Sequence, residues 1–524
     1  MEGTILNMFN EILDKMNLRD LLRETQFKPI LPIGARKFSE IVKEIVNNPD
    51  QPRVWIDGDC DCDGYLSARE VQLMFDALGF TNYGITCHTY KRHNLNTIFY
   101  KNLLDKEKPD YVFVLDSSSN NIELMNISIQ RGVKLIIIDH HVSTLNRKTL
   151  PDNITVINPM IDSYEMGKES PLNDMACGTI MSLLVEFVMR TQFPKNYYKL
   201  NNEHWVCGYI TLYSDSCPFN FYNIAYAKMI LNSNFSLPPY VDVFKTKYNT
   251  LSKKFVSWTF VPRINAMIRE EEFELVHEFI FNFNSFIQTH DVQEVFDIHL
   301  RSKSFTDKLK EKSELISFPK YKIAFIPDKP RARNYTGLVA QRFVSEYNVP
   351  VLGLVRTDDT YQGSVRVPFD VNLLSPFKLV CYAEGHDSAF GIEFPVASYK
   401  EITYTLDSIL RPIEISDSVS NDTLFLSLDK FSSSDKELLD DLKNISVYNE
   451  FCGRGIPSVF VTLTLNRNHS IYRSEKYTRI KWGSLSIISF KGYPAVGDKL
   501  IMKPEYSVSN TPDLIVETIL IGGK

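Results

Sequence analysis

Four aspartates alternate with small residues over Asp57-Gly58-Asp59-Cys60-Asp61-Cys62-Asp63-Gly64. Four carboxylates within seven residues repel one another unless cations sit among them. Asp116 closes the apolar run YVFVL, and Asp139-His140-His141 closes the run KLIII. Asp215, in TLYSDSCP, is a further carboxylate able to complete a set. Alone, an Asp after a strand is commonly a turn former, and paired histidines are commonly surface residues. Their joint occurrence at strand ends makes a metal site the better reading. Oxygen and imidazole donors together suit Mn²⁺ or Mg²⁺, with Mn²⁺ favoured by the histidine. Two such cations sharing a bridging carboxylate activate water and stabilise charge on a phosphoryl oxygen during in-line attack. The chemistry indicated is hydrolysis of a phosphoester or phosphoanhydride. Alternating Asp also occurs in calcium-binding loops, and Glu70 is twelfth counting from Asp59. The preceding Val54–Ile56 run and the misplaced glycine argue against that motif. Cys60-x-Cys62 lacks the second pair that a structural zinc site requires. No nucleophile elbow and no GxxxxGK[ST] loop is present.

Positioning those residues requires a particular scaffold. VWID, YVFVLD and KLIIID are short β-rich runs, each ending in Asp, and helical stretches such as LSAREVQLMFDALGF lie between them. Such alternation predicts an α/β fold with a parallel sheet, whose strand carboxyl ends converge at one edge. Before it, FNEILDKM and FSEIVKEIVNN have helical apolar spacing, making residues 1–50 an N-terminal helical segment and 51–235 the catalytic domain. Residues 236–315 read as a helical connector, and the FELVHEFIFNFNSFI stripe within it reads as core packing. A second, smaller α/β domain is expected over 316–400, from YKIAFIP through VPVLGLV. A linker is expected over 401–449, because SDSVSNDT reads as a loop. Alternating runs after 450 predict a small antiparallel β domain over 450–524. Arg467, Arg473, Lys476, Arg479, Lys481 and Lys491 lie there among Tyr472, Tyr477 and Trp482, a composition suited to holding single strands.

At 524 residues the chain is long enough for several domains. Its net charge of −6 argues against coating duplex DNA, but it leaves room for a local basic groove. The eight cysteines are mostly isolated within apolar runs, as expected of reduced, buried thiols. There is no run of about 18 apolar residues. The start MEGTILNMFNEILDKM lacks the features of a signal peptide, so a cytoplasmic location with no membrane association is expected.

The ordered series DCDCDG, Asp116, Asp139-His140-His141 and SDS around Asp215 resembles the motifs of the DHH superfamily of phosphoesterases. INP at 157–159, PRINAMIR at 262–269 and EFCGRGIP at 450–457 resemble RecJ exonucleases within it. GLVA at 337–340, GSVR at 363–366 and GHDSAFG at 385–391 resemble the DHHA1 domain. The resemblance implies a DHH domain, a smaller DHHA1 domain joined by helices, and a C-terminal OB-like domain. It also implies a two-metal exonuclease acting on single-stranded DNA from 5′ to 3′, with Mn²⁺ or Mg²⁺ as cofactor. Asp63, Asp116, His140 and Asp215 would hold one metal, and Asp61 with the bridging Asp116 the other. Asp57 falls where many relatives have a metal-binding His, and it would be a metal ligand there. Asp59 and Asp139 would orient the ligands, and His141 would face the scissile phosphate. Arg92, Ser364 and Arg366 would take a terminal phosphate, and Arg269 would take the backbone. His386 belongs to a phosphate-contacting loop, where Glu384-Gly385-His386 replaces the usual Gly-Gly-His. A monomer is implied, with a single-strand-binding protein or helicase as candidate partner. The superfamily offers two other readings. One is a cyclic-dinucleotide or short-oligonucleotide phosphodiesterase. The other is a non-catalytic, Cdc45-like replication scaffold, a branch that tends to lose the ligands retained here.

Overall fold

The computed structural model describes residues 27–89, 94–143, 145–215, 217–233, 235–245, 251–368, 372–411, 424–429, 431, 436–452, 458–474, 477–490, 492–505 and 512–520. FNEILDKM, SDSVSNDT, Arg92, Lys476, Lys491 and most of EFCGRGIP lie outside these residues.

The first domain is built on a five-stranded parallel sheet of β1 (Val54–Gly58), β2 (Tyr83–Cys87), β3 (Tyr111–Leu115), β4 (Lys134–Ile138) and β5 (Ile154–Ile157). Their spatial order is β2-β1-β3-β4-β5. The runs in β1, β3 and β4 are apolar throughout because helices cover both faces of the sheet. Two hydrophobic clusters result, one on either side of the sheet. The three strands that end in the candidate ligands are therefore neighbours in space, with Gly58, Leu115 and Ile138 in register at one edge. FSEIVKEIVNN lies in the helix Ala35–Asn47, which buries Phe38, Ile41, Val42 and Ile45.

The described residues of 236–315 are mostly helical and end in the helix Val292–Lys312. At 21 residues this helix is about 31 Å long. Phe279, Phe281 and Phe286 of the aromatic stripe are buried, so the stripe is core. A second, mixed sheet follows, with β6 (Glu314–Ser317), β7 (Lys322–Phe325), β8 (Val351–Thr357), β9 (Thr360–Arg366), β10 (Tyr382–His386) and β11 (Ala389–Pro395). Its order is β10-β11-β9-β8-β7-β6, and it carries its own two hydrophobic clusters.

Residues 401–449 are not a plain linker. The helix Tyr399–Leu410 packs Ile402, Leu406 and Leu410 into the second domain. β12 (Leu424–Ser427) and the helix Lys436–Glu450 belong to the C-terminal unit. That unit adds β13 (Val459–Thr464), β14 (Ser470–Arg473), β15 (Thr478–Trp482), β16 (Leu485–Ser489), β17 (Lys499–Glu505) and β18 (Asp513–Leu520). The sheet is mixed rather than purely antiparallel, because β12 pairs parallel with β13 and β16 parallel with β18. Its core is continuous with that of the first domain. Lys253 N–H donates to Glu450 at 2.9 Å, and Lys254 pairs with Glu505 at 2.7 Å. Seven of the eight cysteines are buried and all are free thiols. Among the described residues no helix is long and apolar enough to cross a membrane.

Candidate metal centre and its cleft

Asp61 and Asp63 are set by the start of the helix Cys62–Leu78. Asp61 is its N-cap and accepts the backbone N–H groups of Asp63 (2.9 Å) and Gly64 (3.1 Å). A side chain on Gly64 would fall 2.3 Å from the Asp59 backbone nitrogen, so the motif's glycine lets that first turn close onto the strand end. The Asp63 carboxylate crosses to a second helix, Cys177–Thr191. There it accepts the N–H groups of Cys177 and Gly178, both at 2.8 Å. A helix N-terminus is a favourable place for an anion.

Asp116 follows β3 with φ of +65°, a left-handed conformation in which Asp is enriched. From there its carboxylate meets His140 Nε2 at 3.2 Å, and the same nitrogen lies 3.3 Å from Asp215. Asp139 accepts His140 N–H (2.8 Å) and His141 N–H (3.2 Å), pairs with His141 Nδ1 at 2.7 Å, and accepts Ser119 N–H at 3.1 Å. It therefore fixes both histidines and the neighbouring loop, as an orienting group should.

Ligand-type atoms of Asp59, Asp61 and Asp116 lie within 4.8 Å of one another, as do those of Asp63, Asp116 and His140, and those of His140, Asp215 and Cys217. Asp116 belongs to two of these groups, the position of a bridging ligand. Asp57 does not join them. It is fully buried, accepts Thr86 Oγ1 at 2.8 Å and faces His88 Nδ1 at 3.0 Å. Asp59, expected to act from behind, is instead within reach of a cation. His88 links the two, with Nε2 2.5 Å from Asp59. Sequence reasoning missed His88. Its signal was faint, a histidine following the short GITC run that forms β2.

The electrostatics of the cluster call for cations. Burial raises the Asp63 carboxyl well above the usual range, and Asp215 and Asp61 add to this. Burial also raises Asp116, reinforced by Asp63 and Asp61. Burial pushes His140 down to about 3, so the imidazole is neutral and able to bind a metal. Desolvation works to raise Asp215, which is partly open to the cleft, but His386 outweighs it and holds the carboxyl below the usual range. Adjacent carboxylates that cannot all ionise, beside a neutral imidazole, fit divalent cations with mixed oxygen and nitrogen donors.

Above the cluster lies a cleft of about 1360 Å³ between the first and second domains. Its lining includes His140, His141 and Asp215 of the first domain, Arg269 of the connector, and Ser364, Arg366 and His386 of the second domain. Arg269, Ser364, Arg366 and His386 thus line the same cleft as the metal cluster, while Arg92 lies outside the described residues. Arg366 lies over Gly337, where a Cβ would fall 2.6 Å from its Nη2. Burial, reinforced by Arg269, brings Arg366 down to about 10. Neither arginine has an ion pair among the described residues. His386 reaches further than expected. Its Nε2 is 3.0 Å from Asp215, and its ring stacks on His141 at a centroid distance of 5.6 Å.

Adjacent ends of the parallel sheet thus present aspartates and a histidine to an interdomain cleft, a donor set suited to divalent cations. Residues 53–209 match the DHH family, N-terminal domain. The whole fold is similar to that of RecJ from Thermus thermophilus. The structure with Mn²⁺ aligns over 98% of this chain and 76% of that one, with a TM-score of 0.68 and 16% identity. The structure with Mg²⁺ aligns over 98% and 74%, with a TM-score of 0.63 and 15% identity. A further exonuclease RecJ structure, bound to manganese, covers 74% of this chain and 97% of its own, with a TM-score of 0.55 and 17% identity. At these identities the likeness is one of fold. No curated protein sequence matches the chain.

Proposed function

We propose that this protein is a divalent-metal-dependent exonuclease that hydrolyses the phosphodiester bonds of single-stranded DNA, working from 5′ to 3′. The observation that carries the proposal is the pairing of two unlike sites in one cleft. A crowded group of carboxylates with a neutral His140 faces Arg269 and Arg366, two guanidiniums without a counter-ion among the described residues. A phosphodiester linkage satisfies both at once. In this reading Asp63, Asp116, His140 and Asp215 hold one cation, and Asp61, Asp116 and Asp59 hold the second. Bound cations supply Lewis acidity toward water and toward the phosphoryl oxygens. Asp139 keeps His141 oriented toward the scissile phosphate, and Arg269 and Arg366 grip adjoining phosphate oxygens with their planar forks. Tyr472, Tyr477, Phe490 and Tyr493 of the C-terminal unit are exposed, and with Arg473, Arg479 and Lys481 in the same stretch of chain they suit stacking on a single strand.

The test is digestion of end-labelled single- and double-stranded DNA and RNA with Mn²⁺, alongside a cyclic dinucleotide. Stepwise loss of nucleotides from single-stranded DNA, abolished by chelator, is expected. Exclusive cleavage of the cyclic dinucleotide would reassign the substrate, and no cleavage of any of them would remove the nuclease reading.

A further inference from the structure

Behind the carboxylates of the second cation lies a buried relay that the proposed chemistry does not use. β1 runs out into Asp57-Gly58-Asp59, and this end is pinned from both neighbouring strands. His88 N–H donates to the Gly58 carbonyl at 3.1 Å, and Asp59 N–H donates to the Leu115 carbonyl at 3.1 Å. The first of these bonds continues the β1–β2 pairing past Cys87 and sets the His88 ring between the two aspartates. Its Nδ1 is 3.0 Å from Asp57 Oδ2, and its Nε2 is 2.5 Å from Asp59 Oδ1. The side chains of His88 and Asp57 are fully buried, and that of Asp59 is nearly so.

The relay has a direction. Trp55 Nε1 donates to Thr86 Oγ1 at 3.0 Å, Thr86 Oγ1 donates to Asp57 Oδ1 at 2.8 Å, and Asp57 Oδ2 faces His88. Asp57 is thereby held on both oxygens, and it joins no group of ligand-type atoms among the described residues. Asp59, at the other end of the ring, does join one, with Asp61 and Asp116. Both ring nitrogens are engaged by carboxylates, so His88 is not itself a donor to a cation. The three carboxylates it serves are held differently. Asp61 is fixed by the helix start, through the N–H groups of Asp63 and Gly64. The Asp59 side chain takes only its neighbour's N–H from the backbone, that of Cys60 at 2.7 Å, and this bond falls on the same Oδ1 that His88 grips. A carboxylate has about four acceptor sites on its two oxygens, so Asp59 can be gripped by His88 and bind a cation at once.

We propose that His88 is a positioning residue for the second cation: it keeps Asp59 turned toward Asp61 and Asp116, and Asp57 acts through it by holding the ring. The proposal rests on the two-cation reading above. Like charges drive the three carboxylates apart, and the ring opposes that by tethering Asp59 from behind. Without it Asp59 swings away and the second cation loses a donor. Donors of the first cation are held elsewhere, Asp63 by the N–H groups of Cys177 and Gly178 and Asp215 by His386. The effect of His88 therefore falls on one cation of the two.

The experiment titrates Mn²⁺ onto the full-length protein and follows free Mn²⁺ by electron paramagnetic resonance, with circular dichroism as the check on folding. Wild type is compared with H88A, D57N, D57N/H88A, H140A and H88A/H140A. Wild type should bind two ions. H88A should weaken one of them by about 10–100-fold, the scale of an outer-shell partner, and leave the other within a few-fold. D57N should weaken the same ion by less, and D57N/H88A should be no worse than H88A, because Asp57 acts through the ring. H140A should weaken the other ion, so H88A/H140A should hold neither tightly. Two ions bound by H88A as tightly as by wild type overturn the proposal. An ion held as tightly by H88A/H140A as by H140A also overturns it, since both histidines would then serve one site. If H88A does not fold, the near-isosteric D57N decides, and two unchanged affinities there overturn the proposal. Absence of Mn²⁺ binding in wild type removes the two-cation reading itself, an outcome distinct from tight binding of both ions by the variants.

Discussion

On one wall of the cleft, Asp59, Asp63, Asp116 and His140 are almost wholly buried, and backbone N–H groups or neighbouring side chains fix them. On the other, Ser364, Arg366 and Glu384 are only partly buried, and fewer contacts hold them. The first wall concentrates negative charge that its own surroundings disfavour. The second wall is open and carries charges of both signs. Reactions need atoms held at fixed separations, whereas choosing among strands needs a surface whose charge matches the substrate step by step. The comparison assigns chemistry to the first wall and choice of substrate to the second.

The strongest way to break that division is to remove the shared carboxylate. Asp116→Ala should abolish hydrolysis of both oligonucleotides and a small chromogenic phosphodiester, by several orders of magnitude, with an unchanged circular dichroism spectrum. Retained turnover would detach the first wall from the chemistry. Asp139→Asn, which weakens the grip on both histidines, should cost about 10–100-fold in activity or metal affinity, the usual scale for an outer-shell partner. Metal titration followed by turnover checks it. On the opposite wall, Arg366→Ala should weaken oligonucleotide binding by roughly 1.5–3 kcal/mol, the scale of a lost charged hydrogen bond. Its turnover of the small diester should change little, and an equal loss on both substrates would erase the distinction between the walls.

The smallest effect is on stability. Asp63 and Asp116 are raised in the folded protein, so they favour the fold at low pH. That contribution is lost from about pH 4 upward, as the unfolded carboxyls ionise and the folded ones resist. Cations that replace those protons reverse the loss. The rise in Tm on adding Mn²⁺ should therefore grow with pH across the range from 5 to 8, by a few degrees in scanning fluorimetry. A rise that shrinks with pH would contradict the crowding of the carboxylates. Arg366→Ala should not alter this trend.

Much of the first wall was legible in the sequence. Asp61, Asp63, Asp116 and the Asp139-His140-His141 run sit at ends of strong apolar strands or on a helix start, where local pattern and final position coincide. Asp57 and His88 were not, because β2 is a half-buried edge strand whose Tyr, Gly and Thr blur its pattern. Its partnership with β1 is what turns Asp57 away from the cluster. The helix Lys436–Glu450 was hidden by its charge, since KELLDDLKNISVYNE reads as solvated until the C-terminal sheet supplies a surface for Leu438, Leu442 and Ile445. The layout of the second wall depends on register between strands, which no single segment encodes.

The continuous core of the first and C-terminal domains, set against the separate clusters of the second, has a consequence for how the protein breathes. Residues sharing one core open together, whereas a unit with its own core can open alone. The helix Val292–Lys312 spans the two, with Val295 and Ile298 in the shared core and Leu309 in that of the second domain. It is the spine on which the second sheet is carried. Amide exchange should therefore show β8, β9 and β11 exchanging as one group, with an opening free energy different from that of β1, β3 and β4. A bound strand touching both walls should slow exchange in both groups, fastening two cooperative units that are otherwise free to fluctuate separately.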